Sequence, residues 1–348
     1  MKIAQVSPLF ESVPPKYYGG TERVVSYLTE ELVRQGHQVT LFASGDSVTQ
    51  ARLVAACPRS LRLDDQCVDQ LAHSMVLLEQ VFQQAPAFDV VHFHIDYLHF
   101  PLAIRQRTPH VTTLHGRLDI PDLVPLYQTF PAVPVVSISD SQRTPLPWLH
   151  WRGTVYHGLP PELYTFRQTP GTYLAFLGRV SPEKGLAQAI AIARQVGMPL
   201  KIAAKVDSFD QEYFDAVIRP LLDHPLVEYL GEMGEADKVD FLGQAYALLF
   251  PIDWPEPFGL VMIEAMACGT PVIAYRRGSV PEVLEHGVTG WIVDGLEAAV
   301  QAVARVPMLS RSRCREVFEE RFSAARMTQD YLRIYQRLLE GRAPRAAA

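Results

Sequence analysis

The sequence predicts an α/β protein made of two doubly wound domains in tandem. Short apolar runs alternate with helical stripes along its length, and the alternation restarts after a Pro-rich stretch near residue 160. At 348 residues the chain also exceeds what one hydrophobic core usually organises. The expected domains are 1–165 and 166–322, followed by a segment, 323–348, whose helix would brace the two and whose tail from Arg342 would fray.

The first domain opens on a strand at 2–7. A Pro-rich loop and the turn Tyr18-Gly19-Gly20-Thr21-Glu22-Arg23 follow. Thr21 is the expected N-cap of a helix whose stripe is Val24, Val25, Leu28 and Leu32, ending at Gly36. Strands are expected at 39–43, 90–93, 110–113 and 133–138, and a helix at 70–84. Residues 46–70 give little pattern. Tyr156-His157-Gly158-Leu159-Pro160-Pro161 reads as an exit turn. In the second domain the expected strands are 173–177, 200–204, 227–230, 247–250, 271–274 and 290–293. Helices are expected at 186–195, 210–222, 235–243, 296–303, 311–320 and 325–339. Doubly wound sheets bind ligands outside the carboxyl ends of their strands, so a crevice between the two domains is the expected site.

One stretch between Trp254 and Ala274 is unusually dense in chemistry. Glu256 stands between Pro255 and Pro257, a helix is expected from about 257 to 267, Glu264 falls inside it, and Gly269 lies past its end. Two readings fit. Either Glu256 is an acid favoured by the helix dipole and Glu264 a solvated position, or the amides of Phe258, Gly259 and Leu260 hold a phosphate while both acids hold hydroxyls. Further back, Phe176-Leu177-Gly178-Arg179-Val180-Ser181-Pro182-Glu183-Lys184-Gly185 delivers two cations to the end of a strand. Arg can fork phosphate oxygens and Lys acts as a mobile point charge. Gly178 and Gly185 suggest a close backbone approach. The alternative is a surface pair of Glu183 and Lys184 beside a helix start.

The net charge is −6, divided equally between the halves on either side of residue 165, with no basic stripe or polybasic tract. Nucleic acid and anionic membrane are therefore not indicated as partners. The four cysteines have neither CxxC nor metal-ligand spacing. No signal-peptide core opens the sequence, and no apolar run reaches the ~18 residues that span a bilayer. A cytoplasmic location is the expectation.

In motif order the chain resembles the retaining glycosyltransferases of family four, which have the GT-B fold of two Rossmann-like domains facing a cleft. Glu256 and Glu264, with Pro257-Phe258-Gly259-Leu260 between them, match that family's glutamate pair, and Ala265-Met266-Ala267-Cys268-Gly269-Thr270-Pro271-Val272 continues the match. Gly178-Arg179-Val180 through Lys184-Gly185 matches its pyrophosphate site, Gly19-Gly20-Thr21-Glu22-Arg23-Val24 its glycine loop, and Thr113-Leu114-His115-Gly116 its histidine loop. The resemblance implies hexose transfer from a nucleotide diphosphate sugar, uridine diphosphate glucose by family frequency, to an acceptor hydroxyl. No cofactor or metal is expected, and no Asp-x-Asp tripeptide occurs. It implies that Glu264 takes ribose hydroxyls, and that Glu256 with the 258–260 amides takes the sugar and distal phosphate. A rise of ~1.5 Å per residue sets Glu264 roughly 7–8 Å beyond Gly259. Arg179 and Lys184 would neutralise the leaving diphosphate, His115 would meet the transferred sugar, and Gly19 and Gly20 would approach the donor. The loop Gly231–Met233 would read the base. The family often has Asn where this chain has His157.

Acceptor or cleft contacts are expected from His94 and Asp96, with strand-end packing as the alternative, and acceptor or donor contacts from Ser139 and Asp140. Zinc at His92, His94 and His99 is disfavoured because one extended strand cannot converge all three. The cluster Trp148-Leu149-His150-Trp151-Arg152 could pack, stack on a sugar or touch a membrane. Rival functions on this architecture are a nucleotide-sugar epimerase, whose acid–base pair is not identifiable, and a binding module without catalysis. A nicotinamide dehydrogenase lacks its GxGxxG. Hinge closure between domains is expected for a transferase of this kind.

Overall fold

A computed structural model describes residues 1–17 and 19–340 of the chain. Tyr18 of the glycine loop and the tail expected to fray, 342–348, lie outside the described residues. Two compact units emerge. The first comprises Met1–Gly158 and the C-terminal helix Ala324–Glu340, and the second is Leu159–Ser323.

The first unit holds a seven-stranded parallel sheet of β1 (Lys2–Val6), β2 (Gln38–Ser44), β3 (Arg52–Cys57), β4 (Val90–Phe93), β5 (His110–Thr113), β6 (Val135–Ser137) and β7 (Trp151–Thr154), in the order β3-β2-β1-β4-β5-β6-β7. Strands covered on both faces read as continuous apolar runs, and Ile3, Ala4, Val6, Leu41, Phe42, Val90 and Phe93 are fully buried. The edge strands β3 and β7 were not expected. Both are only partly buried; β7 shows no such run, whereas β3 carries one, Leu53-Val54-Ala55-Ala56-Cys57, inside the stretch from which no strand was expected. The helix Gly20–Arg34 starts one residue before Thr21, which therefore caps nothing; Gly19 holds the cap position without a side-chain bond. The helix Gln70–Gln84 has its expected bounds, with Asp69 accepting from the amides of Leu71 and Ala72.

The C-terminal helix packs within this unit, against Gly20–Arg34 and the sheet. It buries Met327, Tyr331, Leu332, Ile334 and Tyr335. At ~1.5–3 kcal/mol for each large apolar side chain, that face fastens the helix to its own domain.

The second unit repeats the plan with six parallel strands, β8 (Tyr173–Arg179), β9 (Leu200–Lys205), β10 (Val227–Gly231), β11 (Ala245–Phe250), β12 (Val272–Tyr275) and β13 (Gly290–Val293), in the order β10-β9-β8-β11-β12-β13. The helix expected over 210–222 runs from Gln211 to Leu222, with its middle, Phe214–Ile218, in π-helical form before Arg219–Leu222. Pro220 has no amide for the α ladder, which accounts for the change of register. Each sheet reverses strand order once, at β1/β4 and at β8/β11, and each reversal opens a crevice at the strands' carboxyl ends.

Candidate active site

Each reversal point carries one part of the expected constellation. In the second unit, β8 ends at Arg179 and the turn Pro182–Lys184 follows. Gly185 then sits in the left-handed region at φ 73°, and a Cβ there would lie 2.0 Å from the carbonyl oxygen of Pro251. The close approach expected at this glycine is thus made by the chain's own backbone, from the loop after β11. Gly178 lies inside β8 with ordinary contacts only. The amide of Asp253 donates to the carbonyl of Glu183 at 2.8 Å, joining the two loops a second time.

This join sets Lys184 Nζ 2.5 Å from Glu256 Oε2, and Trp254 Nε1 donates to the same oxygen at 2.9 Å. The ammonium also lies over the Trp254 ring, 5.0 Å from its centroid. Glu256 is 9% exposed. It does not stand at a helix N-terminus as expected, because the helix starts only at Leu260, after Gly259 at φ 81°. Its backbone is gripped from the far side instead. Ser279 donates its amide to the Glu256 carbonyl at 3.0 Å, and a Cβ on Gly278 would lie 2.4 Å from that segment's backbone. Ser279 Oγ also donates to the Phe258 carbonyl at 2.8 Å.

Glu264 is 2% exposed within the helix Leu260–Ala267, which excludes the reading of a solvated position. Gly269 takes its left-handed place at φ 82°. Arg179 is ringed by acids, with Glu183 at 2.8 Å, Asp210 at 3.6 Å and Asp207 at 3.9 Å, and Lys205 meets Asp207 at 2.8 Å. Glu183 stands in the same local motif as Arg179, but no local pattern in the chain signals Asp207 and Asp210 around it, nor Trp254, Gly278 and Ser279 as supports. Gly231 ends β10 at φ 77° with open space where a Cβ would stand, and Met233 is half-buried two residues on.

In the first unit, the loops after β1, β4 and β5 line a cavity of about 370 Å³. Its lining includes Leu9, Phe10, Thr21, Ser74, His94, Asp96 and His115. Gly20 opens the adjoining helix, and Gly19 precedes it against Pro15. Asp96 is the only described non-glycine residue at positive φ, 51°. It reaches solvent, yet the protein around it displaces enough water to push its carboxyl up to about 6.

His115 is pushed down to about 3 by burial, and His94 is also held well below the usual imidazole range. Their rings meet at 2.9 Å, Nδ1 of His94 to Nε2 of His115. His157 stacks on His115 with centroids 5.3 Å apart and planes within 16°. Gln142 clamps the His115 loop by donating to the carbonyls of Leu114 at 2.8 Å and Gly116 at 2.7 Å. Ser139 does not line the cavity. It is fully buried, and its Oγ accepts the Gln142 amide, so it holds the clamp.

The other expected ligand sets disperse. His99 bonds Thr112 at 2.7 Å and stacks on Phe93, apart from the His92–His94 pair. In the aromatic cluster Trp151 is packing: Nε1 donates to the Leu146 carbonyl, and Arg143 lies over the ring.

One doubly wound unit thus carries a strand-reversal cavity with buried imidazoles, and the other a pinned Lys–Glu pair on the loops that follow β8 and β11. The family model described as Glycosyl transferases group 1 matches residues 166–317, and that described as Glycosyltransferase Family 4 matches residues 18–172. The chain belongs to this family of GT-B glycosyltransferases and is a transferase. It is 25% identical to an uncharacterised glycosyltransferase of Methanocaldococcus jannaschii, over 84% of this chain and 85% of that one. It is 26% identical to a glycogen synthase of Mycobacterium tuberculosis, over 95% and 91%. Among solved structures it resembles AviGT4, a glycosyltransferase involved in avilamycin A biosynthesis, with a TM-score of 0.76 at 25% identity, covering 98% of this chain and 99% of that one. No helix among the described residues is long and apolar enough to cross a membrane.

Proposed function

We propose that the chain transfers a hexose, with retention and without a metal, from a nucleotide diphosphate sugar to an acceptor hydroxyl, with uridine diphosphate glucose as the donor. The observation that carries this reading is the Lys184–Glu256 pair at the β8/β11 reversal, with Arg179 at the end of the same strand. In the free enzyme the ammonium is held by the carboxylate. A diphosphate presents a denser negative charge, so Lys184 exchanges partners and Glu256 is released to accept hydrogen bonds from the sugar's hydroxyls. Arg179 and Lys184 then stabilise the charge that grows on the departing diphosphate. Prearranged charges of this kind commonly supply the greater part of an enzyme's rate enhancement. These two cations do the work that a metal does elsewhere. Glu264 takes the ribose, and the Gly231–Met233 backbone takes the base.

The acceptor belongs to the first unit's cavity. Its lining has no Lys or Arg among the described residues, carries the Asp96 carboxylate with the neutral polar groups of Thr21, Gln70, Ser74, His94 and His115, and has an apolar part made of Leu9, Phe10, Leu61, Leu77 and Leu98. Such a lining fits a neutral hydroxyl acceptor with an apolar flank better than a phosphorylated one.

The test is release of nucleoside diphosphate from a panel of nucleotide sugars, with the product's anomeric configuration read by NMR and the assay repeated in chelator. Glu256→Gln is expected to lower turnover far more than nucleotide affinity, and Lys184→Ala and Arg179→Ala to abolish transfer with the fold intact. Wild-type rates in these variants, or no diphosphate released from any donor, refute the proposal.

A further inference from the structure

Behind His115 an unbroken line of polar groups crosses the first unit's core to the C-terminal helix. His94 Nε2 lies 2.9 Å from Gln5 Oε1, and Gln5 Nε2 donates to Tyr335 Oη at 3.1 Å. Tyr335 Oη is 2.7 Å from His92 Nδ1, His92 Nε2 is 2.7 Å from Thr113 Oγ1, and Thr113 Oγ1 is 2.9 Å from Tyr331 Oη. Strand register makes the line possible. Gln5 and His92 are paired across β1 and β4, and His94 follows two residues on, on the same face. Tyr331 and Tyr335, one helical turn apart, cover that face.

Each link needs one donor and one acceptor, and the three imidazoles are neutral, since burial holds all of them low. Gln5 has unlike ends, an NH₂ and an oxygen, so it cannot donate in both directions or accept from both. With its oxygen toward His94, His94 carries its proton on Nε2. Its bare Nδ1 then accepts from His115 Nε2–H. On the other side the Gln5 NH₂ obliges Tyr335 to donate to His92, leaving the His92 proton on Nε2 also. Turning the amide round reverses every link and puts all three protons on Nδ1.

We propose that Gln5 and Tyr335 are positioning residues that lock His115, His94 and His92 into one shared tautomer, and so decide whether His115 Nδ1 offers a ligand a lone pair or a proton. His115 lines the cavity, and no described group bonds its Nδ1. With Gln5 oriented as here, that nitrogen is an acceptor for a ligand hydroxyl. The lock itself is independent of the proposed reaction; only its consequence for turnover rests on that reading.

The test uses the full chain labelled with ¹⁵N-histidine, without ligand, at neutral pH. Long-range ¹H–¹⁵N correlation separates pyrrole-type from pyridine-type nitrogens, with assignments from single histidine substitutions. The expected result is a pyrrole-type Nε2 on all three rings. All three inverted together also upholds the lock, with the amide turned. Different tautomers among the three overturn it.

Tyr335→Phe removes one oxygen and leaves the packing. It frees Gln5 to turn, so His115 is expected to show exchange-averaged nitrogen shifts although the altered residue is not its neighbour. Unchanged His115 shifts in a folded Tyr335→Phe protein overturn the proposal, and Gln5→Met supplies the same readout at the centre of the line. If transfer occurs, both variants are expected to lower kcat while leaving KM for the donor unchanged. If no donor is turned over but the shifts behave as stated, the functional reading fails and the lock stands.

Discussion

The helix Leu186–Val196 is flanked by two glycines that form a natural controlled experiment. Gly185 has φ 73° and ψ 29°, and Gly197 has φ 69° and ψ 27°, so an alanine meets the same left-handed backbone at either end. That conformation costs an L-residue roughly 1–2 kcal/mol. The surroundings differ. Nothing lies within 4 Å of where a Cβ on Gly197 would stand, whereas a Cβ on Gly185 falls 2.0 Å from the Pro251 oxygen and 2.9 Å from its carbon. Two backbones must therefore part by about 1 Å, adding an overpacking cost of about 1–3 kcal/mol. One of them carries Lys184 and the other leads into Asp253, Trp254 and Glu256. A shift of ~1 Å in positioning groups can cost ~100-fold in rate. Urea unfolding and donor turnover of Gly185→Ala and Gly197→Ala, measured side by side, test this. Gly197→Ala should lose only the stability that the left-handed backbone costs and keep its rate. Gly185→Ala should unfold at lower urea and transfer about a hundredfold more slowly. If the two variants match in both measurements, the backbone join does not position Lys184 and Glu256 for the proposed transfer.

Three further expectations concern charge. Asp96, pushed up to about 6, becomes a carboxylate only above that pH, so kcat/KM for the acceptor should rise through pH 6, and Asp96→Asn should flatten that limb. His115, pushed down to about 3, stays neutral throughout and should add no limb of its own. Glu22 is pushed up to about 7, first by burial, from 4.5. A folded-state value above the unfolded one means that its contribution to stability is complete below 4.5 and is lost as pH rises through 7. Glu22→Gln should therefore raise the unfolding free energy, read from the urea midpoint, at pH 8 by at most on the order of 3 kcal/mol, and leave it unchanged at pH 4. An unchanged midpoint at pH 8 would show that the buried carboxyl stays uncharged or is compensated. Asp210→Asn removes a negative charge 3.6 Å from Arg179, where a diphosphate would arrive. Both groups keep some solvent, so the effect is near the water limit of ~1 kcal/mol, about fivefold tighter binding of nucleoside diphosphate by calorimetry. Weaker binding would mean that Asp210 aims Arg179 instead of competing for it.

Legibility in the sequence followed burial and locality. The strands β4, β5 and β13 and the helices Gln70–Gln84 and Glu235–Gly243 have their expected bounds, because buried strands and well-bounded stripes leave period and punctuation in the chain. Half-exposed β7 leaves neither; β3 is a short apolar run, Leu53–Cys57, isolated in a stretch with no other pattern. The cations, the two glutamates and His115 were legible because each lies in a short local motif. The groups that hold them were not: Pro251 meets Gly185 and Ser279 meets Glu256 through contacts that no local spacing encodes. A signal for the buried line did exist. Gln5, His92, His94 and Thr113 are polar residues at the core positions of apolar strands, and burying such groups without partners costs several kcal/mol each. Four of them on one face of a sheet require a covering element that brings donors and acceptors of its own. Of the amphipathic helices in this chain, Ala324–Glu340 presents two tyrosines one turn apart on its buried face, and so it returns to the first domain after the second is complete.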